Sequence, residues 1–283
     1  MTSHKTWLIT GASSGFGRSM TEKLLARGDT VVATVRKMKS LDDLAQKYGD
    51  HLSVEYLDVS DLAAIKTVID RTFKVKGRID VVVSNAGYGL FGAAEEFSDE
   101  QIRKQLETNV LGSIQVIRAS MPHLRAQGGG RILQVSSEGG QIAYPTFSLY
   151  HATKWAIEGF VESVAQEVAP FQVTFTLVEP GPTKTGFREG LVQPLQTLPV
   201  YDATPVGAMR RTFAEGGFAR PGDVDKMVDA MIACAAETPA PKRLVLGSGP
   251  YNRIRAALQE RLAALEAQRG IAESTDIDAV KAA

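Results

Sequence analysis

Along the first two thirds of the chain, short apolar or β-branched runs alternate with stretches whose apolar residues recur at helical spacing. The runs fall at residues 6–10, 30–35, 53–57, 80–84, 130–135, 173–178 and 243–246. They are apolar or β-branched along most of their length, as expected of strands buried on both faces. The stretches between predict helices over 17–27, 61–75, 100–125 and 150–168, the first ended by Gly28 and the second opened by a cap-like Ser60. A later stripe of Ile254, Leu258, Leu262 and Leu265 predicts a helix over 253–265 that docks on the body or on a neighbour. Strand and helix in alternation predict an α/β fold, a seven-stranded parallel sheet with helices on both faces.

The alternation breaks between Pro180 and Pro221, a proline-rich segment with many apolar side chains. An insertion of this length after a strand is more often a functional lid than a linker, so residues 182–220 are assigned to a substrate lid. Residues 1–270 are read as one domain and 271–283 as a flexible, polar C-terminal tail.

Composition narrows the class. Of 283 residues, 44% are apolar and 23% charged, enough for a sizeable core. Thirty-two basic residues balance thirty-two acidic ones, which removes the electrostatic case for a nucleic-acid partner. The single cysteine, Cys234, precludes an internal disulfide or a thiolate cluster and suits a reducing compartment. No apolar run is long enough to span a bilayer, so the expectation is a cytoplasmic protein without a membrane partner. The long helices over 100–125 and 150–168 carry more apolar surface than one sheet face buries, which points to a homodimer or homotetramer.

Candidate chemistry begins at the first strand-to-helix turn, "TGASSGFG". Gly11, Gly15 and Gly17 allow a tight turn and close approach of a pyrophosphate, and Ser13 and Ser14 add hydroxyls. The spacing GxxxGxG departs from the GxGxxG dinucleotide fingerprint, and a plain glycine turn is the competing reading. After the second strand, a site for NAD would place an acid; here stands Arg36, able to grip a 2′-phosphate, so NADP(H) is favoured. Asp58 and Val59, ending the third strand, can hold the adenine edge. The fourth strand ends in Ser84, Asn85, Ala86 and Gly87, which bring backbone close to the cofactor. The alternatives are a solvated charge for Arg36, a helix cap for Asp58 and a pin between strands for Asn85.

Tyr150 and Lys154 lie four residues apart on one predicted helix face, so the ammonium can favour the phenolate of an otherwise weak acid. This makes Tyr150 a candidate general acid/base. Ser137 ends the preceding buried strand, on the same edge as the glycine turn, where its hydroxyl can bond the substrate oxygen. Asn109 is a costly residue for a helix interior unless its amide binds backbone or a water leading to Lys154. Taken singly, the four can be a core aromatic, a solvated charge, a strand-end cap and a satisfied core amide. His151 points elsewhere on the helix and is not the base.

As a set, these residues resemble the short-chain dehydrogenase/reductase family. The resemblance runs from Thr10 to Gly17 (with Phe16 inside it) through Asp58-Val59, Asn85-Ala86-Gly87, Asn109, Ser137 and Tyr150 to Lys154, ending at Pro180-Gly181-Pro182-Thr183. It implies a single Rossmann-type doubly wound domain and a catalytic tetrad of Asn109, Ser137, Tyr150 and Lys154. It further implies that Lys154 binds the nicotinamide ribose, while Pro180, Gly181 and Thr183 or Thr185 hold the nicotinamide amide. Ser84 departs from the asparagine many members carry there. "VVATVRK" and "YHATKWAIEGF" are most similar to NADP-linked steroid and retinol dehydrogenases.

Phe187, Leu191 and Phe213 in the lid, with Phe91, Tyr144 and Phe147 across from it, predict an apolar pocket for a hydrophobic ketone, aldehyde or alcohol. Lys184, Arg188, Arg210 and Arg211 are read as solvated charges rather than a seat for an acidic group. The expected function is NADP(H)-dependent hydride transfer. The alternatives are a non-catalytic NADP(H)-binding regulator and an epimerase or dehydratase that recycles its cofactor.

Overall fold

The apolar runs form strands β1 (Thr6–Thr10), β2 (Thr30–Val35), β3 (Leu52–Tyr56), β4 (Val81–Ser84), β5 (Gly130–Val135), β6 (Val173–Pro180) and β7 (Arg243–Leu246). In this computed structural model, which describes residues 4–277, they pair in parallel in the order β3-β2-β1-β4-β5-β6-β7. The order reverses between β1 and β4, which opens a crevice at the carboxyl ends of these strands, the usual ligand position in such sheets. The helices are α1 (Gly15–Ala26), α2 (Asp42–Tyr48), α3 (Leu62–Lys76), α4 (Asp99–Leu106), α5 (Ser113–Ala126), α6 (Ser148–Val168), α7 (Pro205–Ala214), α8 (Val224–Cys234), α9 (Ser248–Glu266) and α10 (Arg269–Ser274).

Because successive strand side chains point to opposite faces, the core divides in two. Trp7 and Ile9 of β1 pack with Met20 and Leu24 of α1 and Met231 of α8. Leu8 of the same strand packs with Ile69 of α3, Ile117 of α5 and Ile157 of α6. Each fully buried aliphatic chain contributes about 1.5–3 kcal/mol, so both layers of helices are anchored to the sheet that carries the crevice.

Three details differ from the sequence reading. Ser60 does not cap α3: Asp61 does, its side chain accepting from the Ala64 N–H at 3.0 Å, while Ser60 donates to Asp58. The single helix expected over 100–125 is two, α4 and α5, joined by a π-helical turn, Glu107–Gly112. Within that turn Gly112 packs closely on the loop after β3, since a Cβ there would sit 2.5 Å from the Val59 carbonyl oxygen. The last long helix begins at Ser248 rather than 253.

The segment after β6 is partly ordered into a short 3-10 turn (Pro199–Tyr201) and α7. It is tied to the body by a parallel bridge, Leu90 to Val192, and its two ends are joined to each other by the bridge Thr183 to Gly222. Of the expected tail, residues 271–274 belong to the exposed helix α10, and 278–283 lie outside the described residues. Among the described residues, no helix is long and apolar enough to cross a membrane.

Candidate active site

The glycine turn leads from β1 into α1. Gly11 and Gly15 have φ of +68° and +55°, the left-handed region that other residues enter at a cost. A Cβ on Gly11 would lie 2.9 Å from the Ala86 Cα, so turn and fourth strand end touch. Ser13 and Ser14 are exposed, and Ser14, at the helix N-cap, makes no side-chain capping bond. The first N–H groups of α1 therefore lack a side-chain acceptor, which suits a phosphate. Above Gly15, a Cβ would meet only Thr185 of the lid.

Arg36 is exposed just beyond β2 and makes no hydrogen bond or ion pair among the described residues. Its charge is felt at Asp58: burial works to raise that carboxyl, but the Ser60 N–H and hydroxyl, helped by Arg36, hold it below its ordinary range. Val59 is buried beside it. Asn85 pins the turn, its Nδ2 donating to the carbonyls of Thr10 (2.9 Å) and Gly11 (3.2 Å). Gly87 is exposed and close to Asn109. Arg36, Asp58, the turn and the β4 end thus line one side of the crevice.

On the other side, β5 and α6 are bonded end to side. The Lys154 ammonium donates to the Val135 carbonyl at 3.0 Å, and the Ser136 hydroxyl donates to Glu158. Ser137 accepts from the Gly139 N–H at 3.1 Å. Tyr150, Lys154 and Glu158 stand one turn apart on α6, and all three are buried. Lys154 Nζ lies 5.6 Å from the Tyr150 ring centre. Burial pushes the Lys154 ammonium down to about 8, with Glu158 resisting. Burial likewise pushes the Tyr150 hydroxyl well above its ordinary value, against the pull of Ser137. Burial thus outweighs the lowering by Ser137, and Tyr150, like an unperturbed tyrosine, holds its proton at neutral pH.

Asn109 sits inside the π-turn, a feature frequent at functional sites. Its amide accepts from the Tyr88 N–H (3.1 Å) and donates to the Tyr88 carbonyl (2.8 Å) and the Thr153 hydroxyl (3.1 Å). Its visible contacts are therefore the backbone after β4 and helix α6. His151 is buried against Tyr144, ring centres 4.4 Å apart, and neither ring nitrogen has a partner. Burial lowers it to about 4, so it is neutral at pH 7.

After β6, the Thr183 hydroxyl donates to the Gly181 carbonyl at 2.8 Å, while Thr185 faces Gly15. Pro180 pairs with Leu246 at the end of β6. Phe187, in the segment after β6, approaches Tyr150 with ring centres 5.4 Å apart, and Phe147 lies at 5.9 Å.

The sequence reading missed the polar network behind α6. Arg243 bonds Glu158, Glu162 and Glu179, and Gln141 donates to Glu179. Gly140 is required there, because a Cβ would fall 1.8 Å from Glu158 Oε1. The available signal was an acid one helical turn beyond Lys154 in a helix otherwise destined for the core.

A family model described as short chain dehydrogenase matches residues 5–196. The chain belongs to this family of oxidoreductases. It is similar to Oxidoreductase BOA17 of Botryotinia fuckeliana, 36% identical over 244 residues that cover 86% of this chain and 89% of that protein. Human 17-beta-hydroxysteroid dehydrogenase type 1 is 33% identical over 215 residues, 73% of this chain and 64% of that protein. In structure it is similar to a short-chain dehydrogenase from Streptomyces avermitilis, with a TM-score of 0.89 and 37% identity over 97% of this chain and all of the other.

Proposed function

We propose that this protein is an NADP(H)-dependent oxidoreductase that interconverts a hydrophobic ketone or aldehyde and its alcohol, with Tyr150 as general acid/base. The observation that carries this reading is the array of Ser137, Tyr150 and Lys154 at the sheet edge that also carries the uncapped glycine turn. When bound, a nicotinamide dinucleotide supplies the hydride. Tyr150, which burial keeps protonated, gives its proton to the carbonyl oxygen. Ser137 donates a hydrogen bond to that oxygen. Lys154, at about 8 still mainly positive at neutral pH, steadies the phenolate left behind. Asn109 holds the Tyr88 backbone and Thr153, keeping the β4 end and α6 in register.

Gly11, Ser13, Ser14, Gly15, Phe16 and Gly17 would cradle the pyrophosphate, Asp58 and Val59 the adenine edge, and Asn85, Ala86 and Gly87 the inner ribose. Lys154 would also hold the nicotinamide ribose. Pro180 and Gly181 would border the nicotinamide amide; Thr185 is better placed than Thr183, whose hydroxyl already serves Gly181. Arg36, unpaired and exposed, favours a 2′-phosphate. Arg36→Asp should shift the NADPH-over-NADH preference by about 10- to 100-fold towards NADH; unchanged selectivity in steady-state kinetics would remove Arg36 from the site.

The aromatic rings around Tyr150 and a relative named for a hydroxysteroid both favour a hydrophobic substrate. Residues 182–220 would act as its lid within a single domain, and the buried Cys234 suits a reducing cytoplasm. Assembly as a homodimer or homotetramer is part of the same reading. The test is NADPH absorbance with purified protein and steroid, aromatic and aliphatic carbonyls. Stoichiometric NADP+ with alcohol product is expected. Failure of every carbonyl to turn over while NADPH binds would overturn the reading, and product without net NADP+ would indicate internal cofactor recycling.

A further inference from the structure

Helix α9 follows the last strand of the sheet and lies outside residues 5–196, the span that the family model matches. It nevertheless grips the turn that follows Ser137. Arg253, on its second turn, donates through Nε (2.9 Å) and Nη2 (2.6 Å) to one oxygen of Glu138. The Glu138 side chain is 3% exposed and that of Arg253 48%, so a surface cation reaches an acid inside the fold. Two helical turns further on, Arg261 donates to the Gln141 carbonyl at 2.5 Å, and its guanidinium lies over the Trp155 ring of α6. At the start of the helix, Pro250 packs on Gly181, where a Cβ would fall 2.2 Å from the proline ring.

The gripped turn, Glu138–Gly140, carries the Ser137 hydroxyl. Its backbone bonds are internal: the N–H groups of Gly140, Gln141 and Ile142 return to the carbonyls of Ser137 and Glu138, and the Gly139 N–H donates to the Ser137 hydroxyl. Two glycines press it against α6, since a Cβ on Gly139 would lie 2.6 Å from the His151 ring and one on Gly140 1.8 Å from Glu158. The charged hold on the turn comes from α9. Burial raises the Glu138 carboxyl and Arg253 opposes that rise. Without Arg253, a buried carboxylate has to take up a proton or move towards water, and either response displaces the residue next to Ser137.

We propose that α9 is a clamp on the serine turn, and that Arg253 is a positioning residue which, by holding Glu138, sets the Ser137 hydroxyl for the substrate oxygen. The proposal rests on the reductase reading and adds to it a part of the chain that no comparison assigns to the site. A misplacement of about 1 Å at a bonding group costs up to about 100-fold in rate. The bond from Ser137 counts most while charge develops on the substrate oxygen, whereas the rings proposed to bind the substrate stay in place, so the loss falls on kcat rather than on KM.

The test combines hydrogen exchange with steady-state kinetics on the full chain, using whichever carbonyl of the steroid, aromatic and aliphatic panel turns over fastest. Arg253→Met should speed amide exchange in residues 138–142 by about tenfold or more, the loss of charge-assisted bonds, and leave the glycine turn at 11–17 unchanged. It should lower kcat by about 10- to 100-fold with KM and NADPH affinity within about threefold. Arg253→Lys, which keeps the charge and a single donor, should lie between Arg253→Met and the parent in both readouts, and it decides the matter alone if Arg253→Met does not fold. Arg255→Met, at an exposed position of the same helix, should match the parent. Unchanged exchange in 138–142, faster exchange with kcat unchanged, or an equal loss in Arg255→Met would overturn the clamp. Absence of turnover in the parent would sink the reductase reading, while exchange still decides whether α9 holds the serine turn.

Discussion

Behind Tyr150, helix α6 is bonded to two successive positions at the end of β5, and a half-buried Arg243 cluster backs it. In front of Tyr150, residues 181–223 meet the body through the Leu90–Val192 bridge, the Glu96–Arg210 pair, single bonds joining Leu198, Tyr201 and Gln193 to Glu96, Glu95 and Gln101, and a few ring contacts, with Leu195 91% and Val200 73% exposed. The two regions meet over the same hydroxyl yet differ in how much moves when one contact is lost. Proton transfer needs atoms held to within fractions of an ångström, which a desolvated, fully bonded seat provides. In the proposed function, admission of an apolar substrate would need a cover of low local stability, which the loosely held segment after β6 would provide.

The comparison breaks most visibly at the tyrosine. Tyr150→Phe should lower kcat by about 100- to 10,000-fold with NADPH affinity changed no more than a few-fold, because the ring packing against Phe147 and Phe187 survives. Activity near that of the parent would show that the rigid seat does not supply the proton. Glu158→Ala should cost about 2–3 kcal/mol in urea unfolding, since it strips a partner from Ser136 and Arg243 in a buried network. A loss no larger than that of an exposed carboxylate would mean the seat is held by apolar packing alone.

Lys154 sharpens the contrast through pH. Its folded value, about 8, is below its ordinary 10.5, so between these values the unfolded chain binds more protons and stability rises with pH. Below pH 8 the buried charge is a full liability. Lys154→Met should therefore be more stable than the parent at pH 7 by about 1–3 kcal/mol, the gain shrinking as pH rises from 8 towards 10.5 while activity is lost. Equal stability across that range would show that the ammonium is adequately solvated. The smallest effect belongs to the lid: Leu195→Ser should change unfolding free energy by less than about 0.5 kcal/mol, and a larger loss would mean this exposed position is covered.

Much of the fold was legible, and for local reasons. Both-face burial leaves nearly continuous apolar runs, so β1, β2 and β5 were placed end to end, and β3 was displaced by one residue. The π-turn was not legible, because helical spacing reads straight through it, and the contact of Gly112 with Val59 exists only in the fold. In the candidate site, Tyr150, Lys154 and Ser137 were found because each has a recognisable chemistry at a strand end or one helical turn away. Glu158 was passed over as one charge among many on a long helix. Arg210 was read as solvated, since one of two adjacent arginines in a segment of several cations carries no mark of the buried carboxylate it will meet.

By itself, the sequence determined the alternation of strand and helix, the glycine turn and the residue types available for proton transfer, because backbone periodicity and side-chain chemistry are local properties. Only the tertiary structure decided that Asn109 serves the Tyr88 backbone, that desolvation raises the Tyr150 hydroxyl above its ordinary value, and that Glu96 takes one arm of Arg210 while the other has no hydrogen-bond partner. Each of those outcomes depends on which groups lose water together. That follows from the packing of segments far apart in the chain.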